Sequence, residues 1–156
     1  MADVELELNT ELNVLDAWRR LTDFAAHARV IPLTTIVTDP GRPRLGWQFI
    51  GVTSLGPMRF EDPMVISVWE PPAGVAGVGC VRLVKTGRWL QGWAEITVEP
   101  SGLGTRVRWS ESLRPRPDPA PAITSWVARS LGTRLFESAL RGLLGGESPS
   151  TSPSVG

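Results

Sequence analysis

Three side chains in this sequence are of types that transfer protons in enzymes, namely His27, Asp62 and Glu111. A histidine with a pKa near the reference value of about 6.5 acts as a general base at neutral pH. Asp62 and Glu111 fall on the predicted inward faces of two strands, where a carboxylate is costly unless it is paired, solvated or protonated. Carboxylates in that position can orient a ligand at one end of an apolar pocket. These three residues are therefore our candidate catalytic residues.

Each of the three also has a simpler structural interpretation. Asp62 precedes Pro63, and an Asp-Pro pair favours a turn of the chain. Glu111 would be neutralised by an arginine at the end of the sheet, for example Arg82 or Arg114. His27 would lie on the surface or cap a helix. The residues alone leave these alternatives open.

The composition excludes several classes of protein. Acidic and basic residues balance at 16 each, and the arginines are scattered along the chain, so we expect no nucleic acid partner. Lys85 is the single lysine, which we attribute first to coding bias. Cys80 is the single cysteine, so an internal disulfide is excluded, and we expect Cys80 to be a buried small apolar residue. The single histidine excludes a multi-histidine metal site. We therefore expect no metal and no cofactor.

No apolar run approaches the roughly 18 residues of a membrane-spanning helix, and no signal peptide begins the sequence. We expect no integral membrane segment and a cytoplasmic location. The length of 156 residues suits one domain, which we place at residues 1–146. Residues 147–156 are rich in Ser, Pro and Gly, so we expect a disordered tail.

The elements that must position the candidate residues follow from apolar periodicity. Val4, Leu6 and Leu8 alternate with polar residues, which predicts a strand. Asn9 or Thr10 would cap a helix with Leu12, Leu15, Trp18 and Leu21 on its apolar face, and Thr22-Asp23 would cap a second, short helix. Six further strands are predicted at residues 34–38, 45–53, 58–69, 78–85, 88–99 and 105–113. The short turns between them imply an antiparallel meander.

One long amphipathic helix is predicted over residues 118–144. Asp118 can cap it, Pro119 suits the first helical position, and Gly145-Gly146 ends it. Apolar residues recur four apart from Ile123 onward, so one face of this helix must pack on the sheet.

Several local segments together resemble one superfamily. They are residues 18–32, the Gly-Pro-Met-Arg-Phe-Glu-Asp-Pro-Met stretch at 56–64, Gly87-Arg88 with Gly92-Trp93, and residues 104–109. The chain resembles the START-like helix-grip superfamily (SRPBCC), in its group of polyketide cyclase/dehydrase and lipid-transport proteins. The resemblance implies an α+β fold in which a curved antiparallel sheet of about seven strands, in the order β-α-α-β6-α, wraps around a long C-terminal helix.

The same resemblance implies a cavity between sheet and helix that holds a hydrophobic small molecule. The segments that carry it mark the fold and contain no catalytic signature. The expected activity is therefore binding of a lipid-like or polyketide-like ligand. The alternative is a polyketide aromatase/cyclase or dehydrase that acts on a ligand in the same cavity, using His27, Asp62 or Glu111.

Strand parity and the helix stripe together predict the residues that bind the ligand. They are Phe49, Met58, Phe60, Met64, Trp109, Glu111, Val127, Leu131 and Leu135. A bulge at Pro63 would change the side to which Asp62 points. Gly92 removes a side chain from the inward face and would leave room for the ligand.

A third hypothesis is an interaction role, with a homodimer as one option. It depends on Trp69, Trp89 and Trp93, whose parity predicts that they point away from the core.

Overall fold

The computed structural model describes residues 2–31, 33–115 and 133–145, which form seven strands and three helices. The helices are α1 (Val14–Thr22), α2 (Phe24–His27) and α3 (Thr133–Gly145). The strands are β1 (Ala2–Thr10), β2 (Thr34–Thr38), β3 (Gln48–Leu55), β4 (Met58–Glu70), β5 (Gly79–Thr86), β6 (Leu90–Ser101) and β7 (Gly104–Pro115).

The seven strands form one curved sheet in the order β1-β7-β6-β5-β4-β3-β2. Every pair of neighbouring strands is antiparallel. Strands β2 to β7 follow one another as a meander, and β1 closes the far edge against β7. The predicted α+β fold class and antiparallel meander are therefore confirmed.

One face of the sheet carries the core, because side chains alternate between the two faces of a strand. In β5 the buried residues are Val81, Leu83 and Lys85, and in β6 they include Leu90, Ala94 and Ile96.

Strand β4 departs from simple alternation at one place, between Ile66 and Val68, where the register with β5 shifts. Pro63 pairs with Ile50 in an unbroken register, so there is no bulge at Pro63 and Asp62 keeps its predicted inward direction. Beyond the bulge, Trp69 turns towards the core and its ring lies 5.1 Å from that of Trp18. The prediction that Trp69 points outward is therefore wrong, because the bulge reverses the parity of the strand.

The first helix begins later than predicted. Asn13 caps α1 by accepting a hydrogen bond from the Asp16 N–H at 3.0 Å, whereas Asn9 and Thr10 still belong to β1. Of the four residues predicted for its apolar face, Trp18 and Leu21 are buried, together with Val14, Ala17 and Thr22. Leu12, which precedes the helix, is partly buried against the core, and Leu15 is partly buried. Asp23 caps α2 as predicted, accepting from the Ala26 N–H at 3.2 Å.

Helix α3 packs on this assembly through Leu140 and Leu144, which are buried. Its C-terminal end is held by Arg20, which donates a hydrogen bond to the Leu144 carbonyl at 2.7 Å. Residues 118–132 of the predicted helix, including Val127 and Leu131, lie outside the described residues, and so does the predicted tail at 147–156. In the described part of the chain, no helix is long and apolar enough to cross a membrane.

Candidate functional site

A cavity of about 160 Å³ lies between the core face of the sheet, the segment from α2 to β2, and α3. Its walls are mainly apolar, and its charged groups come from three strands. The described lining residues are His27, Val30, Ile31, Thr34, Ile36, Phe49, Gly51, Thr53, Phe60, Asp62, Met64, Leu83, Lys85, Leu90, Ala94, Trp109, Glu111, Ala139, Leu140 and Leu143.

The structure brings all three candidate catalytic residues to this cavity. His27, Asp62 and Glu111 line it. Glu111 is also one of the predicted ligand-contacting residues, and four others line the cavity with it, namely Phe49, Phe60, Met64 and Trp109.

Met58 is the one remaining predicted contact whose side chain the structure describes, and it does not line the cavity. Met58 has the expected parity, but it pairs with Leu55 at the tip of the β3–β4 hairpin and is 45% exposed, beyond the end of the cavity. Its prediction is therefore corrected, since parity sets the direction of a side chain and not its position along the strand. Leu135 belongs to α3, but its side chain lies outside the described part of the chain, as do Val127 and Leu131.

The polar centre of the cavity is formed by Lys85 between two carboxylates. Its Nζ donates a hydrogen bond to Asp62 Oδ2 at 2.5 Å and forms an ion pair with Glu111 Oε1 at 3.6 Å. The third contact of Nζ is the sulfur of Met64 at 3.7 Å. Both Lys85 and Glu111 are buried. The Lys85 ammonium group therefore bridges the carboxylates of Asp62 and Glu111.

Small residues on β6 allow this meeting. The β6 residue opposite Lys85 is Gly92, and the one opposite Glu111 is Ala94, so no large side chain stands between β5 and β7. Gly92 was predicted to leave room for the ligand, but the structure shows a different reason for a glycine at this position, namely the conformation and close packing of the backbone. Gly92 has a φ of +138°, and a Cβ atom there would lie 1.9 Å from the Ser112 carbonyl oxygen.

Each carboxylate uses one oxygen on Lys85 and leaves the other buried. Asp62 Oδ1 has no hydrogen-bond partner among the described residues, whereas the Glu111 carboxyl also interacts with the Trp109 side chain. A buried polar atom without a partner costs free energy, and a ligand that forms the missing hydrogen bond recovers it.

The pKa values of this group follow from burial and charge. Burial raises the pKa of Glu111, and the Lys85 ammonium and the Trp109 side chain oppose that shift only in part. For Lys85, burial disfavours the charged form, but the charges of Asp62 and Glu111 outweigh it and its pKa is raised.

His27 is buried as well, and its role as a surface or capping residue is ruled out. Its Nε2 lies 2.9 Å from the Leu21 carbonyl oxygen. A carbonyl only accepts hydrogen bonds, so Nε2 carries the proton and Nδ1 of the neutral ring is an acceptor. Burial lowers the pKa of His27, which the Leu21 bond and the charge of Asp23 oppose.

An aromatic cluster supports the wall beside His27. The rings of Phe24 and Phe49 stack at 4.6 Å, and the Phe24 ring lies 5.4 Å from that of His27. Trp47 packs on both phenylalanines at 6.0 and 5.8 Å. This packing fixes the position of the imidazole relative to the sheet.

Two simpler interpretations from the sequence are therefore wrong. Asp62 does not turn the chain, because it lies within β4 opposite Gly51. Glu111 is neutralised by Lys85, whereas Arg82 pairs with Glu95 at 3.0 Å. The sequence reasoning missed Lys85 because a lone lysine was attributed to coding bias. The available signal was its parity with Val81 and Leu83 on an inward strand face.

The other singled-out residues lie outside the cavity. Cys80 is half-buried and not fully buried as predicted, because its parity places it on the face of β5 opposite Val81. Trp93 packs under Arg82, whose guanidinium carbon is 4.7 Å from the ring centre, and Arg88 lies 5.3 Å from the ring of Trp89. Among the described residues, no group of three or more potential ligands is placed to hold a metal ion.

Comparison with solved structures identifies the fold. The protein TTHA0849 from Thermus thermophilus matches with a TM-score of 0.69 and 14% identity, over 94% of this chain and 100% of that one. The Zhui aromatase/cyclase from Streptomyces sp. R1128 matches with a TM-score of 0.62 and 13% identity, over 93% and 92% of the two chains. A norcoclaurine synthase from Thalictrum flavum matches with a TM-score of 0.60 and 14% identity, over 92% of each chain.

No family model matches the sequence, and no curated protein matches it significantly. At these identities the structural likeness establishes the architecture. The chain has the helix-grip fold that its local segments predicted.

Proposed function

We propose that this chain binds a hydrophobic small molecule, lipid-like or polyketide-like, in the cavity between the sheet and α3. The observation that supports the proposal most directly is the cavity itself, about 160 Å³ in volume and mainly apolar, with a charged group at one place on its wall. Binding pockets typically combine an apolar lining with a few convergent polar groups that orient the ligand.

The volume indicates the size of guest that the described walls accept. An apolar cavity of about 150 Å³ engineered in another protein stays dry and binds benzene. A single substituted aromatic ring is therefore a suitable first probe for this cavity.

The proposal is tested by calorimetric titration of the full chain with ethylbenzene. Saturable binding at one site is expected, with loss of at least tenfold in affinity in Gly51→Val, which places two methyl groups in the cavity. Thr35→Val on exposed β2 is the matched control and should bind normally. Absence of binding by the unmodified chain, together with no small molecule copurifying in native mass spectrometry, contradicts the proposal.

A second candidate function, cyclase or dehydrase chemistry, is favoured by one observation. His27 and Glu111 line one cavity, where burial lowers the pKa of His27, which favours the neutral base, and raises the pKa of Glu111, which favours the protonated acid. The Zhui and norcoclaurine synthase structures show that the fold also occurs in proteins named as enzymes.

The corresponding elementary step is enolisation of a ketone. His27 Nδ1 would take a proton from the carbon next to the carbonyl, and the Glu111 carboxyl would protonate the carbonyl oxygen, giving the enol. Return of the protons in D₂O places deuterium on that carbon.

This step is measured as deuterium uptake by phenylacetone in D₂O, followed by NMR. Acid–base catalysis of this kind contributes about 10² to 10⁴-fold. Catalysed exchange should fall to the buffer rate in His27→Gln and Glu111→Gln and persist in Glu61→Gln, an exposed carboxylate on the opposite face of β4. Exchange at the buffer rate with the unmodified chain excludes this activity.

A further inference from the structure

We propose that the cavity selects neutral ligands that carry a hydroxyl group and rejects carboxylates and other anions of the same apolar shape. This inference rests on the proposed function, since it names the class of ligand for the same site. In the bound state the hydroxyl donates its hydrogen to Asp62 Oδ1, and the apolar body fills the space between β3, β6 and α3.

The first argument is the kind of atom that lacks a partner. Asp62 Oδ1 is buried, belongs to a residue that lines the cavity and has no hydrogen-bond partner among the described residues. An ionised carboxylate oxygen only accepts hydrogen bonds. The guest that satisfies it must therefore bring a donor, and a hydroxyl brings one without a charge to desolvate.

The second argument is that the cation of the site is already used. The three N–H groups of Lys85 face three acceptors, namely Asp62 Oδ2 at 2.5 Å, Glu111 Oε1 at 3.6 Å and Met64 Sδ at 3.7 Å. An anionic ligand would compete with these groups for Nζ. It would also approach one or two buried carboxylates, which repel it strongly at low dielectric.

The third argument is the state of His27. Its Nε2–H is bonded to the Leu21 carbonyl at 2.9 Å, and burial lowers its pKa, so the ring offers an acceptor and no positive charge at neutral pH. Among the described lining residues, Lys85 and His27 are the basic side chains, and neither is placed to neutralise an incoming carboxylate.

Three ligands with one apolar body test the proposal by calorimetric titration at pH 7.5. They are 4-ethylphenol, ethylbenzene and 4-ethylbenzoate. We expect 4-ethylphenol to bind at least tenfold more tightly than ethylbenzene, and 4-ethylbenzoate to bind at least a hundredfold more weakly than 4-ethylphenol.

Variants that change charge but not shape locate the effect. In Asp62→Asn an amide that can donate replaces the acceptor, so the preference for 4-ethylphenol should fall and 4-ethylbenzoate should gain affinity. Glu61→Gln makes the same chemical change one residue away, on the exposed face of β4, and should leave all three affinities unchanged. Circular dichroism confirms that each variant is folded, and the three-ligand comparison with the unmodified chain tests the selectivity without any variant.

The outcomes separate this inference from the proposed function. Equal affinity for 4-ethylphenol and ethylbenzene, or binding of 4-ethylbenzoate as tight as that of 4-ethylphenol, overturns the selectivity while the binding function stands. A preference for the phenol that persists in Asp62→Asn overturns the assigned acceptor. Failure of all three ligands to bind overturns the proposed function as well.

Discussion

Lys85 and Glu111 lie on strands that are separated by β6, yet the distance from Lys85 Nζ to Glu111 Oε1 is 3.6 Å. The two side chains meet over Ala94, whose methyl group leaves the space between them open. Asp62 reaches the same nitrogen from β4 on the other side. One buried cation therefore connects three strands of the sheet.

Replacing Lys85 with Met should destabilise the protein strongly. The change keeps most of the side-chain volume but leaves Asp62 and Glu111 buried without a cation. Removing one partner of a buried ion pair typically costs about 3–5 kcal/mol. Urea unfolding of Lys85→Met measures the loss.

The matched control for this experiment is Arg59→Met. Arg59 pairs with Glu61 at 3.1 Å on the exposed face of neighbouring β4, where ion pairs contribute about 0–1 kcal/mol. Adding Asp62→Asn and Glu111→Gln to Lys85→Met should restore much of the stability. Equal effects of Lys85→Met and Arg59→Met would show that the buried charge group has no energetic role.

Glu111 should make the protein less stable as the pH rises. Its folded-state pKa is raised above the ordinary 4.5, mainly by burial, so the folded state binds a proton that the unfolded state has already released. This contribution is fully present below about pH 4.5 and is lost as the pH rises through the raised value. The stability of the unmodified protein relative to Glu111→Gln should therefore fall with increasing pH above 4.5, as measured by urea unfolding at a series of pH values. A constant difference would contradict the shift.

His27 should act in the opposite direction. Burial lowers its folded-state pKa below 6.5, so the unfolded state binds more protons as the pH falls. The stability that depends on neutral His27 is present above about pH 6.5 and is lost as the pH falls through the lowered value.

His27→Gln isolates this effect, because an amide nitrogen can donate to the Leu21 carbonyl without titrating. The stability of the unmodified protein relative to His27→Gln should decrease from pH 7 towards pH 5. A relative stability that rises on acidification would mean that His27 is charged in the folded state.

Much of the fold could be predicted because alternation is a local property. Val4, Leu6 and Leu8 define a strand without knowledge of the sheet, and the inward direction of Glu111 followed from the parity of Val107 and Trp109. The helix start could not be placed so well, because Asn9, Thr10 and Asn13 all have capping side chains. Only the extension of β1 to Thr10 decides between them.

The site was less predictable than the fold, for a physical reason. The contact between Lys85 and Glu111 depends on strand register, on sheet curvature and on the small residue Ala94 between them, and these are properties of paired strands. The bulge between Ile66 and Val68 also left no clear signal, and it reversed the direction of Trp69. The direction of Lys85, however, was available from its parity with Leu83.

Gly51→Val should weaken ligand binding at least tenfold without reducing the stability of the fold. A Cβ at Gly51 would have its nearest neighbours at ordinary distances, 3.8 Å to Met64 Cε and 3.9 Å to the Asp62 carbonyl oxygen, and the added methyl groups would enter the cavity. Glycine within a strand is unfavourable, whereas a β-branched residue is favourable. Thermal unfolding should show unchanged or increased stability alongside the tenfold loss in ethylbenzene affinity. A large loss of stability would show that the space at Gly51 is already filled.

Gly92→Ala should have the reverse effect, because it should reduce the stability of the fold and not act mainly on ligand affinity. The φ of +138° belongs to a region that residues with a Cβ rarely adopt, and the new methyl carbon would lie 1.9 Å from the Ser112 carbonyl oxygen. Backbone strain of this kind costs about 1–3 kcal/mol, and the collision with β7 adds to it. Urea unfolding should therefore show a loss on the order of 3 kcal/mol, against little change for Gly51→Ala. If Gly92→Ala instead kept its stability and lost only ligand affinity, then Gly92 would serve the cavity, and the backbone account of this residue would be wrong.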